Sequence, residues 1–341
     1  MPIRPADLLH PTPAGLYCPP GDFYVDPLRG VERAVVTHGH SDHARPGHAK
    51  CLATPETLAI MAARMGETHA QETQAIQYGE CVSINGVDVS LVPAGHVLGS
   101  AQVVIDWKGL RIVVSGDYKR AADPTCTGYE LVKADIFVTE ATFALPVFRH
   151  PPPMGEMEKL LTSLRRFPER THLVGAYSLG KAQRVIKLLR NAGYDEPIFI
   201  HGALKSLCDL YVAHGVDLGD LRPATIEDKS RAAKNDFAGK IVVAPPSAFA
   251  QTWARRFADP LEGFASGWMR IRQRAKQRGV ELPLVISDHA DWDELCETIC
   301  EVDPQEVWIT HGRDDALQRW CELNGYAAKP LALVGYEDEG D

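Results

Sequence analysis

Residues 35–48 read VVTHGHSDHARPGH, an apolar run followed at once by His38, His40, Asp42 and His43, with His48 after a Pro-Gly turn. The chain has only 13 histidines in 341 residues, so this crowding constrains the fold more than any other stretch. Two histidines two apart on extended chain point the same way, and both imidazoles can reach one metal ion. An aspartate and a histidine just beyond can hold a second ion a few ångströms away, as two-metal hydrolases require. The run RAVVT at 33–37 is β-rich, so the cluster starts where a strand ends.

Ligands completing such a site must come from other strand ends. His96 in VPAGHVLGSA follows an apolar run and is bracketed by Gly95 and Gly99, which suit close backbone approach. Asp117 in VVSGDYKR ends the next long strand and can bridge two ions. His311 in VWITHGRDD ends the last.

The flanking pattern supplies those strands. CVSINGVDVSLVPA at 81–94 alternates about Asn85-Gly86, a hairpin signal, and AQVVIDWKGLRIVVSGD at 101–117 turns at Lys108-Gly109. ADIFVTEAT at 134–142 reads as a further strand, and TPETLAIMAARMG at 54–66 as a helix. From about residue 155 the texture becomes helix, strand, helix, with helices expected in MEKLLTSLRRF and GKAQRVIKLLRNAG. Near the end, PLVIS and EVWITHG read as strands with the helix WDELCETICEV between them. This organisation predicts one domain from 1–154 and 279–341, interrupted by an α/β module at 155–278.

Composition sets outer limits. Hydrophobic residues at 45% and charged residues at 24% describe an ordinary globular chain. No run of about 18 apolar residues is present, so no membrane partner is expected. Prolines interrupt the first 26 residues where a secretory leader needs an apolar stretch. The eight cysteines form no Cys-x-x-Cys pair; Cys296 and Cys300, four apart in an expected helix, read as reduced core thiols. A cytoplasmic location fits. The net charge of −9 does not advertise nucleic-acid binding, yet basic residues crowd 165–190 and 255–278, where they are expected to line a substrate groove. His201 is a candidate phosphate contact at the end of a strand; His10, His69, His150, His172 and His214 are expected at the surface.

The series His38, His40, Asp42, His43, His96, Asp117 and His311 resembles the ligand series of the metallo-β-lactamase superfamily. The resemblance implies an α/β fold, an αββα sandwich with a dinuclear site on one edge. His38, His40 and His96 would hold one metal, Asp42, His43 and His311 the other, and Asp117 would be shared. Asp26 in FYVDP matches the early aspartate that orients the ligand loop from behind. Glu140 in VTEATFA, His289 in ISDHADWDEL and His311 resemble the three extra motifs of the β-CASP nucleases, which carry an inserted domain. YSLGKAQR at 177–184 and Gly267-Trp268 resemble the DNA crosslink-repair branch. His311 is instead a feature of RNA-processing members, so the motifs leave DNA and RNA both open. The compact insertion and the length look most like the bacterial exonucleases encoded beside an ATP-dependent DNA ligase.

The implied activity is a metal-dependent phosphodiesterase, a DNA exonuclease in repair that uses a metal-activated hydroxide. Its substrate would be DNA, single-stranded or with free ends, and a ligase and a helicase would be functional partners. An RNA-processing nuclease is the alternative, and a small-molecule metallohydrolase a more distant one. Two divalent ions are the implied cofactors, with Zn²⁺ the default for a His-rich site and Mn²⁺ admitted by mixed nitrogen and oxygen ligands. Asp42, His289 and Glu140 are the candidate catalytic residues, His289 as proton donor or phosphate clamp and Glu140 as the group that orients it. Ser178, Gly180 and Lys181 open a helix after a strand, where backbone N–H groups can hold a phosphate.

Overall fold

Alternation of apolar residues along the first 115 residues builds strands whose two faces meet different partners. The computed structural model describes residues 4–225, 236–312 and 314–331, without the side chain of His311. After a short helix α1 (Pro5–Leu8) come six strands of one sheet: β1 (His10–Thr12), β2 (Gly15–Cys18), β3 (Phe23–Val25), β4 (Arg33–Val35), β5 (His48–Ala53) and, after helix α2 (Pro55–Met65), β6 (Ala70–Ala75). They lie in sequence order. Then come β7 (Cys81–Ile84), β8 (Val87–Pro93), β9 (Ala101–Trp107), β10 (Leu110–Val114) and β11 (Ile136–Ala141) of a second sheet.

The chain next forms a parallel sheet with helices between its strands: α3 (Pro153–Arg166), β12 (His172–Gly175), α4 (Lys181–Asn191), β13 (Ile198–Ile200), α5 (Lys205–Ala213), β14 (Leu221–Pro223), β15 (Ile241–Ala244), β16 (Leu261–Ala265), α6 (Arg272–Gln277) and β17 (Leu282–Leu284). It returns through α7 (Trp292–Val302) to β18 (Glu306–Gly312), α8 (Asp314–Leu323) and β19 (Ala327–Pro330), which complete the second sheet in the order β19-β18-β11-β10-β9-β8-β7. Two units result among the described residues: those up to 148 with those from 289 onward, and those from 149 to 288.

In the first unit the period of two sorts the core. Val35 and Leu52 from one sheet meet Val89, Leu91, Val103, Ile105, Ile112 and Val138 from the other in a single buried cluster. Their chain neighbours point outward. Ala34, Cys51 and Ala53 pack against Met61 of α2. Val104, Val113, Phe137 and Ile309 pack against Leu295 and Ile299 of α7 and Leu317 of α8. The inner strands of each sheet therefore carry apolar residues on both faces, one toward the other sheet and one toward helices.

Both sequence-predicted hairpins form. Asn85 and Gly86 adopt φ of 50° and 82° between the paired Ile84 and Val87, and Lys108 and Gly109 adopt 50° and 84° between Trp107 and Leu110. Left-handed conformation at both central residues matches the twist of the flanking strands. Several expectations need correction. Of PLVIS only the first two residues, Pro283 and Leu284, lie in a strand, which begins at Leu282. His69 and His172 are buried rather than superficial, and Cys300 is exposed while Cys296 is in the core. His172 is drawn inward because its Nε2 lies 2.9 Å from Ser163 Oγ, a polar partner contributed by α3.

Candidate metal centre

The loop after β4 is shaped by a carboxylate placed ahead of it. Asp26 follows β3 in a left-handed conformation (φ 44°), which aspartate tolerates better than most residues. Its Oδ1 accepts from the Thr37 N–H at 2.8 Å, and its Oδ2 accepts the Thr37 hydroxyl at 2.6 Å and lies 2.7 Å from His43 Nδ1. Thr37 Oγ1 is also 3.0 Å from His38 Nδ1. Thus the Nδ1 atoms of two histidines are fixed from behind, and both Nε2 atoms face Asp117 Oδ2, at 3.4 Å for His38 and 3.3 Å for His43. The Arg64 guanidinium of α2 donates to the Gly39 carbonyl and anchors the same loop from its far side.

His96 sits in the connection between β8 and β9. The Ser100 hydroxyl accepts from the His96 and Val97 N–H groups at 3.0 and 3.2 Å, and the Gly99 carbonyl accepts the hydroxyls of Thr54 and Thr57. The loop is thereby pinned, with His96 Nε2 3.0 Å from His40 Nδ1 and 3.8 Å from Asp117 Oδ2. Asp117 follows Gly116, whose φ is 55°; a Cβ there would stand 2.8 Å from Thr37 Cβ, so only glycine lets the two ligand-bearing loops touch. Glu140 on β11 accepts from the Tyr118 N–H at 2.8 Å through Oε1, and its Oε2 lies 3.0 Å from His289 Nδ1. The Ala290 N–H donates to the Tyr118 carbonyl at 2.6 Å, which ties the His289 segment to the strand end carrying Asp117.

Three overlapping groups share Asp117. His38, His40, His96 and Asp117 offer atoms all within 4.8 Å of one another; so do Asp42, His43 and Asp117, and so do Asp117, Glu140 and His289. Asp117 belongs to each of these three groups, and a fourth, which contains His289 and His96, lacks it. Apart from Asp42, which is partly exposed, these side chains are buried. Of the sequence candidates, the side chain of His311 lies outside the described residues, though its backbone belongs to β18, whose last residue, Gly312, pairs with Ala141 of β11.

The electrostatics suit a divalent cation. Burial, reinforced by neighbouring His43, pushes His38 well below the usual imidazole value, so it stays a neutral nitrogen donor. Its Nε2 is buried and makes no hydrogen bond. Burial opposes charge on His43, but the carboxylates of Asp117, Asp42 and Asp26 outweigh it and hold that group well above the usual value. Burial would likewise raise Asp117, yet His43, His289 and His38 hold its carboxyl well below the ordinary range. Burial raises Glu140, partly offset by His289. A buried, unsatisfied imidazole nitrogen beside an ionised carboxylate, within a set of histidine and aspartate donors, fits a divalent metal.

Sequence reasoning missed Thr37 and Arg64 as supports. Thr37 was visible inside the motif, at the one position whose hydroxyl can meet both the earlier aspartate and the first histidine. Arg64 carried no local signal, since its contact spans 25 residues.

In the second unit, Ser178, Gly180 and Lys181 do come after β12, but the phosphate reading is corrected at Lys181. Its ammonium pairs with Asp288, with both side chains 2% exposed, and its N–H already donates to the Leu179 carbonyl at 3.0 Å. Gly180, not Ser178, is the N-cap of α4, and the Ser178 carbonyl accepts from Gln183. Arg184 is buried, and Arg190 donates to the carbonyls of Tyr194, Glu196, Leu218 and Asp220. Lys181 and Arg190 thus direct their donors to a carboxylate and to carbonyls of the same unit rather than into a groove. His201 is also engaged locally, accepting from the Ala203 N–H and lying edge-on to Trp253.

No family model matches the chain. It is 26% identical over 327 residues to a probable DNA ligase of Opitutus terrae, covering 90% of this chain and 30% of that protein. It is 28% identical over 245 residues to the endoribonuclease YSH1 of Gibberella zeae, covering 59% and 29%. The chain thus spans less than a third of either relative. An uncharacterized protein from the lig 3′ region of Acidianus ambivalens is 31% identical over 147 residues, 41% of this chain and 99% of that one. A crystal structure of a protein of unknown function from Enterococcus faecalis V583 shares the fold, with a TM-score of 0.57 at 12% identity over 89% of this chain and 80% of that one. Since similarity of this extent accompanies a histidine and aspartate series gathered at strand ends, the chain belongs to the metallo-β-lactamase superfamily, in its β-CASP nuclease branch.

Proposed function

We propose that the chain is a metal-dependent phosphodiesterase acting as a DNA exonuclease in repair, with ATP-dependent DNA ligase and helicase as functional partners. The observation that carries the hydrolytic reading is the sharing of Asp117, itself buried, by three donor groups. In this reading the first unit is the αββα sandwich of the superfamily and the second is the inserted β-CASP domain, expected from the sequence at 155–278. No helix among the described residues is long and apolar enough to cross a membrane; a cytoplasmic location is part of the proposal.

His38, His40 and His96 would hold one ion, Asp42, His43 and His311 the other, and Asp117 both. Bound there, two divalent ions, Zn²⁺ by preference and Mn²⁺ as alternative, supply an activated water and neutralise charge on the phosphoryl oxygens. His289 protonates the leaving oxygen or clamps a non-bridging one, with Glu140 fixing its ring through Nδ1. Glu140 also binds the Tyr118 backbone, so the orienting carboxylate cannot swing away from the strand that carries Asp117. Ser178 and Gly180 are retained as backbone contacts to phosphate; Lys181 is not.

Protein purified without chelator is expected to carry close to two transition-metal equivalents by elemental analysis, and to shorten end-labelled single-stranded DNA. Absence of metal after reconstitution with Zn²⁺ and Mn²⁺ would sink the reading. The similarity to YSH1 favours RNA as a second substrate, and matched RNA in the same panel decides between them.

Asp26 provides a separate check. Asp26→Asn keeps the size of the side chain but removes the charge behind His43 and Thr37. Metal affinity is expected to fall about 10- to 100-fold, the usual effect of such a partner. Competition against a chromophoric chelator measures it, and unchanged affinity would refute the role.

A further inference from the structure

The order of the second unit's sheet points to a particular edge. Its strands run β14-β13-β15-β12-β16-β17, all parallel. From β12 the chain moves toward β13, and from β16 it moves the opposite way to β17. The outgoing connections diverge between β12 and β16, and in open parallel sheets ligands bind outside the carboxyl ends of strands at such a divergence.

The segments leaving those two strand ends are aromatic and strongly basic. Tyr177 lies two residues beyond β12, and Trp268 three beyond β16. Both pack against one small cluster built on Phe264, Met269 and Val285. Ser266 Oγ accepts from the Trp268 N–H at 3.3 Å and fixes the turn that presents the indole. The Arg274 guanidinium lies 3.9 Å from the centre of the Trp268 ring. Residues 267–280, GWMRIRQRAKQRGV, hold five basic residues and no acidic one, in a chain whose net charge is −9. All five, Arg270, Arg272, Arg274, Lys276 and Arg278, are exposed.

We infer that Trp268 and Arg274 form a stacking platform for an unpaired base of single-stranded nucleic acid, with Arg270, Arg272, Lys276 and Arg278 taking its phosphates. A guanidinium already stacked on an indole offers its second face to a base at little ordering cost, and keeps its edge N–H groups for a phosphate. An ammonium on a flexible stem can meet a phosphate but offers no flat face to a base. The row of positive charge fits a polyanion, and the aromatic layer favours one with accessible π-faces over a duplex or an acidic peptide. This inference rests on the nuclease reading and names the substrate form that site would receive.

The test measures binding of a labelled 12-residue oligonucleotide by anisotropy, in the metal-loaded His289→Ala background to suppress turnover. Arg274→Ala is expected to weaken single-strand binding on the order of 5- to 100-fold, the loss of one stacked base, and to lower the salt slope by about 0.7. Arg274→Lys, which keeps the charge, is expected to keep the slope but not the affinity, and an oligonucleotide of abasic sites should not distinguish it from the parent. Oligo-dT and oligo-U arms separate DNA from RNA. Binding by Arg274→Ala within twofold of the parent overturns the platform, as does full recovery by Arg274→Lys. Equal affinity for a duplex or for polyglutamate also overturns it. Hydrolysis of a nitrophenyl phosphodiester by the parent enzyme reports on the metal centre alone, so failure there is distinguishable from failure of the platform.

Discussion

Asp117→Ala is expected to lose bound metal and phosphodiester cleavage together, whereas His289→Ala is expected to keep both metals and lose about 10²–10⁴ in rate. The contrast arises from position. Asp117 Oδ2 faces the Nε2 atoms of His38, His43 and His96 within 3.3–3.8 Å, so its removal takes the shared donor from three groups at once. His289 Nδ1 is 3.0 Å from Glu140 and 4.0 Å from Asp117, and two donor groups, His38 with His40, His96 and Asp117, and Asp42 with His43 and Asp117, form without it. Proton donation and phosphate clamping separate by leaving group. A nitrophenyl phosphodiester leaves without protonation, so an acid role predicts a smaller deficit for His289→Ala on that substrate. Equal deficits on both substrates retain the clamp and remove the acid. Loss of metal from His289→Ala would make it a ligand and refute the assignment.

Lys181→Met is expected to destabilise the second unit by about 3–5 kcal/mol, the cost of stranding one member of a buried ion pair. Lys181 and Asp288 lie 107 residues apart and are each 2% exposed. Asp288 immediately precedes the boundary at residue 289, so the pair joins the first helix after β12 to the segment that closes the unit. Because a buried carboxylate without a counter-charge is the main penalty, Lys181→Met with Asp288→Leu is expected to recover a large part of the loss. Urea denaturation followed by near-ultraviolet circular dichroism measures both. A single variant within about 1 kcal/mol of the parent would show that the pair does not sustain the unit, and would return Lys181 to consideration as a substrate contact.

The elements that position the candidate centre were legible locally. Period-two alternation marked β8 to β11, and Asn85-Gly86 and Lys108-Gly109 marked their turns, because side-chain direction and turn conformation are set by near neighbours. The histidines and aspartates at the ends of those runs were legible for the same reason: a donor at a strand end needs no distant partner to be noticed. The family likeness came from their spacing.

Local sequence therefore dictated the strands, their turns and which residues could serve as donors. Which charges are free to act was settled only by packing. Lys181 and Arg274 both lie in basic stretches and look alike as text. One is sealed against Asp288, while the other lies exposed over the Trp268 ring. Arg64 reaches the ligand loop, and Thr37 joins Asp26 to two histidines, through contacts set by how the loops close on one another. Long side chains owe their environment to residues tens or hundreds of positions away, and burial, which determines whether a charge is paired or presented, exists only once those residues are packed.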